Sequence, residues 1–194
     1  MPFLYEESYQ WFTSFDDLGE IIDRPNPTPA LQYLSNIIDH LINDCAWPLH
    51  RIHLFGFAQG GSVAAELVVD HWKQQQLRAS FDNKQDGQAS LLSVSFGSIV
   101  TVSGPLLSYP TISTLSSTPI LVAHRSPASD MALPPGAFTA FNKAFSSVTE
   151  SKMEAKGMGM PASKQEWDPI MRFWSEHLAR RQVEGLYEVM SGQW

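Results

Sequence analysis

The chain has 194 residues, 43% of them apolar and 17% charged, which suits a globular domain and excludes a disordered or collagen-like chain. Lys and Arg number 13 against 20 Asp and Glu, a formal charge of −7 with no basic stripe, so neither nucleic acid nor an anionic membrane is an expected partner. The single cysteine, Cys45, has no internal disulfide partner and points to a reducing, cytoplasmic setting.

Residues 1–15 hold no basic run and no small-residue cleavage site, so they do not read as a signal peptide. No stretch nears the roughly 18 apolar residues of a membrane span. Residues 30–45 carry an apolar stripe at helical spacing: Ala30, Leu31, Leu34, Ile37, Ile38, Leu41, Ile42 and Cys45. Thr28 stands where a cap is needed and Pro29 at the first helical position. Cys45 closes the stripe and reads as a core thiol, with no basic neighbour to ionise it.

Residues 51–55 (RIHLF) read as a short strand, followed by the turn GFAQGG and a helix over 62–77 that buries Val63, Ala64, Leu67, Val68 and Trp72. Residues 82–90 form a polar surface loop. Residues 96–102 and 119–124 are buried strands, the first ended by Gly104 and Pro105. Residues 135–147 read as a helix with Phe138, Phe141 and Phe145 on one face, and 148–153 as a weakly marked strand. A last helix covers 168–181, with Asp168 as cap and Pro169 in its first turn. Strand–helix alternation predicts parallel strands joined by right-handed crossovers, hence one α/β domain over 1–194.

The chemistry points to residues 51–67. A strand runs into G-x-A-x-G and directly into a helix. In α/β hydrolases the same frame is G-x-S-x-G, a strained turn that lifts a nucleophile above the sheet. Gly56 and Gly60 let backbone pass close by, and Gly61 eases the helix start, whose free N–H groups, that of Gln59 first, suit a developing oxyanion. Ala58 occupies the place of the attacking oxygen, and a methyl group cannot attack a carbonyl.

With GFAQGG at 56–61, the chain resembles the phospholipase/carboxylesterase family of α/β hydrolases, which includes the acyl-protein thioesterases and whose elbow reads G-F-S-Q-G-G. Trp11-Phe12 and Phe15-Asp16 look like its W-F-D segment, and the strand ending VSG at 102–104 like its next strand. PILVAH at 119–124, followed by Asp130 and Pro134, resembles its acid loop, with Arg125 in place of a glycine. The resemblance implies a three-layer sandwich with a mostly parallel sheet, an ester or thioester hydrolase by descent, and a triad carried over position by position. Ala58 then stands at the nucleophile position, Asp130 at the acid position, and Met160, in the turn GMGMP, at the base position. The family's N-terminal strands and H-G-x-G loop have no counterpart, so the chain reads as the C-terminal two-thirds of such a domain. A shortened gene product, a fragment and a protein that has lost those strands are all open readings. Residues 51–55 would then form an exposed edge inviting self-association.

Other residues carry weaker signals. Ser62 lies a helical turn past Ala58 and reads as a helix N-terminal polar residue. Ser103 reads as a turn or pocket residue. Asp130 is equally a relic acid or a solvated loop carboxylate. His71 and His177 belong to helices, and His124 closes a strand where the family has a histidine that is not the base. His50 and His53, three apart on an expected strand edge, fall on opposite faces. Met158 and Met160 are apolar turn fillers, and no metal or cofactor set is expected. The expected function is a hydrolase-family chain silenced at Ala58 and Met160, or alternatively a non-catalytic binder of an acyl or other small-molecule ligand, or an interaction module.

Overall fold

The computed structural model describes residues 9–81, 95–126, 132–154 and 159–178. Four strands, β1 (His53–Phe57), β2 (Ser98–Val102), β3 (Ile120–Arg125) and β4 (Val148–Met153), pair in parallel in the order β1-β2-β3-β4. Helices α1 (Thr28–Asn43), α2 (Gln59–Phe81), α3 (Ala137–Ala144) and α4 (Lys164–His177) cover the two faces. The expected α/β class and three-layer arrangement are thus observed.

The period of two in each strand explains the layers. Leu54, Ile99, Ile120, Val122 and Val148 pack with residues of α1, α2 and α3, including Ile38, Ala65, Val68 and Phe141. Val100, Val102, Leu121, Ala123 and Met153 face α4 and meet Ile170 and Phe173. Because both faces are covered, every residue of β2 is buried, as a central parallel strand requires. Among the described residues β1 is paired on one side only, and Phe55 is 39% exposed while stacking on Trp167 at 6.1 Å.

Several local expectations are corrected. Thr28 lies inside α1 and does not cap it; its N–H donates to Asn26 Oδ1 at 3.0 Å, and Pro27 is the capping position. The helix stops at Asn43, and Ala46 turns the chain with a φ of +55°. Cys45 therefore falls beyond the stripe, exposed, and its Sγ lies 3.9 Å from His40 Nε2, a basic neighbour one turn back. A 3-10 turn at Leu49–Arg51 delays β1 by two residues, so His50 and His53 do not share a strand.

α2 starts three residues early, at Gln59, because the chain enters the helix straight from Ala58. α3 is shorter than expected: Phe138 and Phe141 lie on it and pack on the core, while Phe145, buried as well, falls just past its end in extended backbone. α4 begins at Lys164, not Asp168: Ser163 Oγ accepts from Glu166 N–H at 3.2 Å, the S-x-x-E signature of a helix start. Pro169 then sits inside the helix, where its missing N–H forfeits the bond to the Gln165 carbonyl. The loop expected at 82–90, Asp130, Met158 and residues 179–181 lie outside the described residues. No described helix is long and apolar enough to cross a membrane.

Candidate functional site at the strand-to-helix turn

β1 ends at Phe57 and α2 begins at Gln59, so Ala58 alone makes the turn. Its φ of +48° lies in the left-handed region, which costs a residue with a Cβ about 1–2 kcal/mol. The turn is fixed from both sides: Ala58 N–H donates to the Val102 carbonyl at 2.8 Å, and its own carbonyl accepts from Ser62 N–H at 3.0 Å. This strained single-residue junction is the geometry that lifts a nucleophile off the sheet, and here it lifts a methyl group.

Close backbone approach holds the turn in place. A Cβ at Gly56 would fall on the Gly60 carbonyl, and one at Gly61 on Thr101 Oγ1. Gly104, just past β2, packs on the same turn: a Cβ there would sit 2.5 Å from both Ala58 O and Ser62 N. Gly60 faces Trp11, whose Nε1 would be 3.4 Å from a Cβ at that position.

Gln59 has a role that its sequence position did not suggest. Its side-chain Oε1 accepts from Trp11 N–H at 3.0 Å, and its Nε2 donates to the Phe12 carbonyl at 3.1 Å and Ser14 Oγ at 2.8 Å. Residues 11–14 are thereby lashed across the elbow. Its backbone N–H belongs to the first turn of α2, where N–H groups have no intrahelical acceptor.

Ser62 is 1% exposed and its N–H is bonded to Ala58, in keeping with a helix N-terminal residue. Ser103 occupies a second left-handed turn, φ +55°, at the end of β2. It is 8% exposed, and its Oγ has no hydrogen-bond partner. No histidine bonds it. His124 has both ring nitrogens taken, Nε2 by Glu150 Oε1 at 2.9 Å and Nδ1 by the Arg125 carbonyl at 3.1 Å. His177 Nδ1 donates to the Phe173 carbonyl at 2.7 Å, and His53 pairs with Ser98 at 2.8 Å, at the opposite end of the strands.

Met160 lies in the bend before α4. The preceding Gly159 has a φ of +94°, and a Cβ on it would lie 3.7 Å from Phe57 Cζ, so this bend borders the residue before Ala58. What holds the bend is Arg125, a residue noted in the sequence only as a departure. Its side chain is 1% exposed. Nη1 donates to Glu166 Oε1 and to the Glu154 carbonyl, each at 2.8 Å; Nη2 donates to the Gly159 and Met160 carbonyls, each at 3.3 Å. Glu166 Oε2 in turn accepts from Ala162 N–H at 2.8 Å. No sequence signal short of the fold could have brought these residues together. No group of three metal-ligating side chains exists among the described residues.

The electrostatics give a two-stage acid response. Burial holds the His53 and His71 imidazoles below their ordinary 6.5, helped by His177 and Arg78 respectively. The Ala162 N–H bond, with Arg125 assisting against burial, holds the Glu166 carboxyl below its ordinary 4.5. A depressed folded pKa adds stability above the unfolded value, and that stability is lost as pH falls through the folded one. Melting temperature should therefore decline first below about pH 6.5 and again below about pH 4.5. In a pH series, Glu166→Gln should make the lower limb shallower and leave the upper one, the rest of the lower limb coming from Glu150, whose hydrogen bond with His124 also holds its carboxyl below the ordinary value; an unchanged lower limb would remove Glu166 from the account.

No family model matches the chain. A curated relative, an uncharacterized hydrolase of Mycosarcoma maydis, is 32% identical over 182 residues, which are 93% of this chain and 62% of the relative. The chain thus spans less than two thirds of the relative's length. Among solved structures, SOBER1 of Arabidopsis thaliana is 19% identical, with 88% of this chain and 74% of that chain covered and a TM-score of 0.58. The esterase PE8 is 17% identical, with coverage of 88% and 71% and a TM-score of 0.61. YahD, solved with malic acid, is 14% identical, with coverage of 87% and 73% and a TM-score of 0.56.

Proposed function

We propose that this chain, an α/β hydrolase by fold, is an esterase-type protein that is silent by the triad mechanism. The observation that carries the reading is Ala58, which holds the strained elbow conformation of a nucleophile with no hydroxyl on it. Met160 at the base position supports it, as a thioether cannot take a proton from an attacking oxygen. In serine hydrolases the loss of serine or histidine alone costs about 10⁶ in turnover, and a second loss adds little because the groups act together. We place the protein in the cytosol on its single, unbridged cysteine.

The test is direct. Purified protein should neither hydrolyse p-nitrophenyl esters or acyl thioesters above buffer background nor take up a fluorophosphonate probe. Saturable turnover retained in an Asp130→Ala variant would overturn the triad mapping and point to different chemistry.

A second reading is that the elbow binds a carboxylate or acyl ligand without cleaving it. It is favoured by the first-turn N–H groups of α2, whose positive helix end suits a negative oxygen. YahD, a similar fold, was solved with malic acid, itself a carboxylate.

A further inference from the structure

In a Ser-His-acid triad the acid and the histidine hydrogen-bond to each other. That bond has a mechanical side: it ties the loop after one strand to the loop before the last helix. On the mapping used above, those loops carry Asp130 and Met160, and a methionine side chain cannot take part in such a tie. The structure has another between the same two elements. Arg125 is the last residue of β3, and its guanidinium crosses to the Glu154, Gly159 and Met160 carbonyls and to Glu166 in α4.

We propose that Arg125 is the positioning group for residue 160: it holds the base-position loop beside the elbow as an acid–histidine bond would, without its chemistry. The inference rests on the silent-triad mapping of Ala58 and Met160, and three features carry it. The first is its reach. Arg125 shares the α4-facing side of β3 with Leu121 and Ala123, so its methylene stem is covered while its head arrives under the loop. The second is donor geometry. A planar fork can serve two carbonyls on one nitrogen and a carboxylate plus a carbonyl on the other, which an ammonium on a flexible stem cannot reproduce. The third is charge. Arg125 and Glu166 are both buried and neutralise each other at 2.8 Å, so the tie places no net charge beside the elbow. An ordinary buried ion pair would need only Glu166; the two carbonyls of the loop are what make this one a positioning device.

Hydrogen exchange on the full chain tests it, read at the amides of Gly159, Met160, Ala162 and Ser163, since Pro161 has no N–H. Arg125→Gly should speed exchange there by at least about tenfold while the amides of β2 and β3 keep their protection. Guanidinium ion, supplied well below denaturing concentration, should restore protection by filling the vacated cradle, and Arg125→Lys should not. Asp130→Ala and Met160→Ala should leave the segment as protected as in the parent. Should Arg125→Gly lose the whole fold, the paired change Arg125→Met with Glu166→Gln avoids a lone buried charge, keeps an acceptor for the Ala162 N–H and should show the same local acceleration. Parent-like exchange in both the Arg125→Gly chain and that pair, or equal opening by Asp130→Ala, would overturn the proposal. Ester turnover by the parent protein would sink the silent-hydrolase reading and leave these exchange rates where they are, so the two failures are distinguishable.

Discussion

Ala58→Ser combined with Met160→His is expected to restore labelling by a fluorophosphonate, while either change alone stays silent. Serine placed alone on the elbow keeps its proton and remains a weak nucleophile. Histidine alone has no hydroxyl to activate. Together they supply a nucleophile and a general base, and a positioned base contributes about 10²–10⁴. The expected result is a labelling rate at least about 10²-fold above either single variant. The elbow already has the required backbone, because Ala58 holds a φ of +48° with both of its backbone groups bonded. Gly159, the residue before 160, already borders the Phe57 ring, and Arg125 holds the Met160 carbonyl. Labelling by Ala58→Ser at the double variant's rate would show that 160 is not the base position. A folded double variant that takes no label would count against the mapping as a whole.

Gly104→Ala should be among the most damaging single changes in the protein. Its new methyl would meet Ala58 O and Ser62 N at 2.5 Å and Gly61 C at 2.7 Å. All three are backbone atoms of one tight turn, so none can step aside as a flexible side chain could. A loss of about 3 kcal/mol or more is expected, near the top of the range for overpacking. For a chain of this size that corresponds to a fall in Tm of roughly 6–12 °C. Ala58→Gly should have the opposite sign. It removes the left-handed penalty of a Cβ and gains up to about 1 kcal/mol net, after the added freedom of the unfolded chain is counted. Thermal unfolding of the two variants beside the parent checks both signs. A neutral Gly104→Ala would mean that β2 and α2 are not in the close contact described here.

The contrast between Ala58 and Arg125 shows how the sequence and the folded chain divide the information. The elbow was legible because its determinants are local: a strand of five residues, a glycine-spaced turn and a helix follow one another within 51–67. The start of α4 was missed for a similarly local reason. Asp168-Pro169 imitates a helix start, and Ser163 with Glu166 offers an equally good one five residues earlier. Apolar periodicity could not choose between them. Cys45 was misplaced because the stripe of α1 continues past the point where Ala46 bends the chain away.

By itself the sequence determined the alternation of strands and helices, the parallel sheet and the methyl group on the turn between β1 and α2. Each depends on residue type and on spacings of a few residues, which survive without knowledge of the fold. Only the tertiary structure decided that Gln59 lashes residues 11–14 over the elbow across 45 or more positions and that Arg125 meets Glu166 across 41. The same holds for the left-handed Ser103 beside Ala58, with its unpartnered hydroxyl. The Gln59 and Arg125 contacts form because packing of the sheet brings the ends of its strands and the following loops together, where most buried polar groups take a partner within about 3 Å; the Ser103 hydroxyl is an exception.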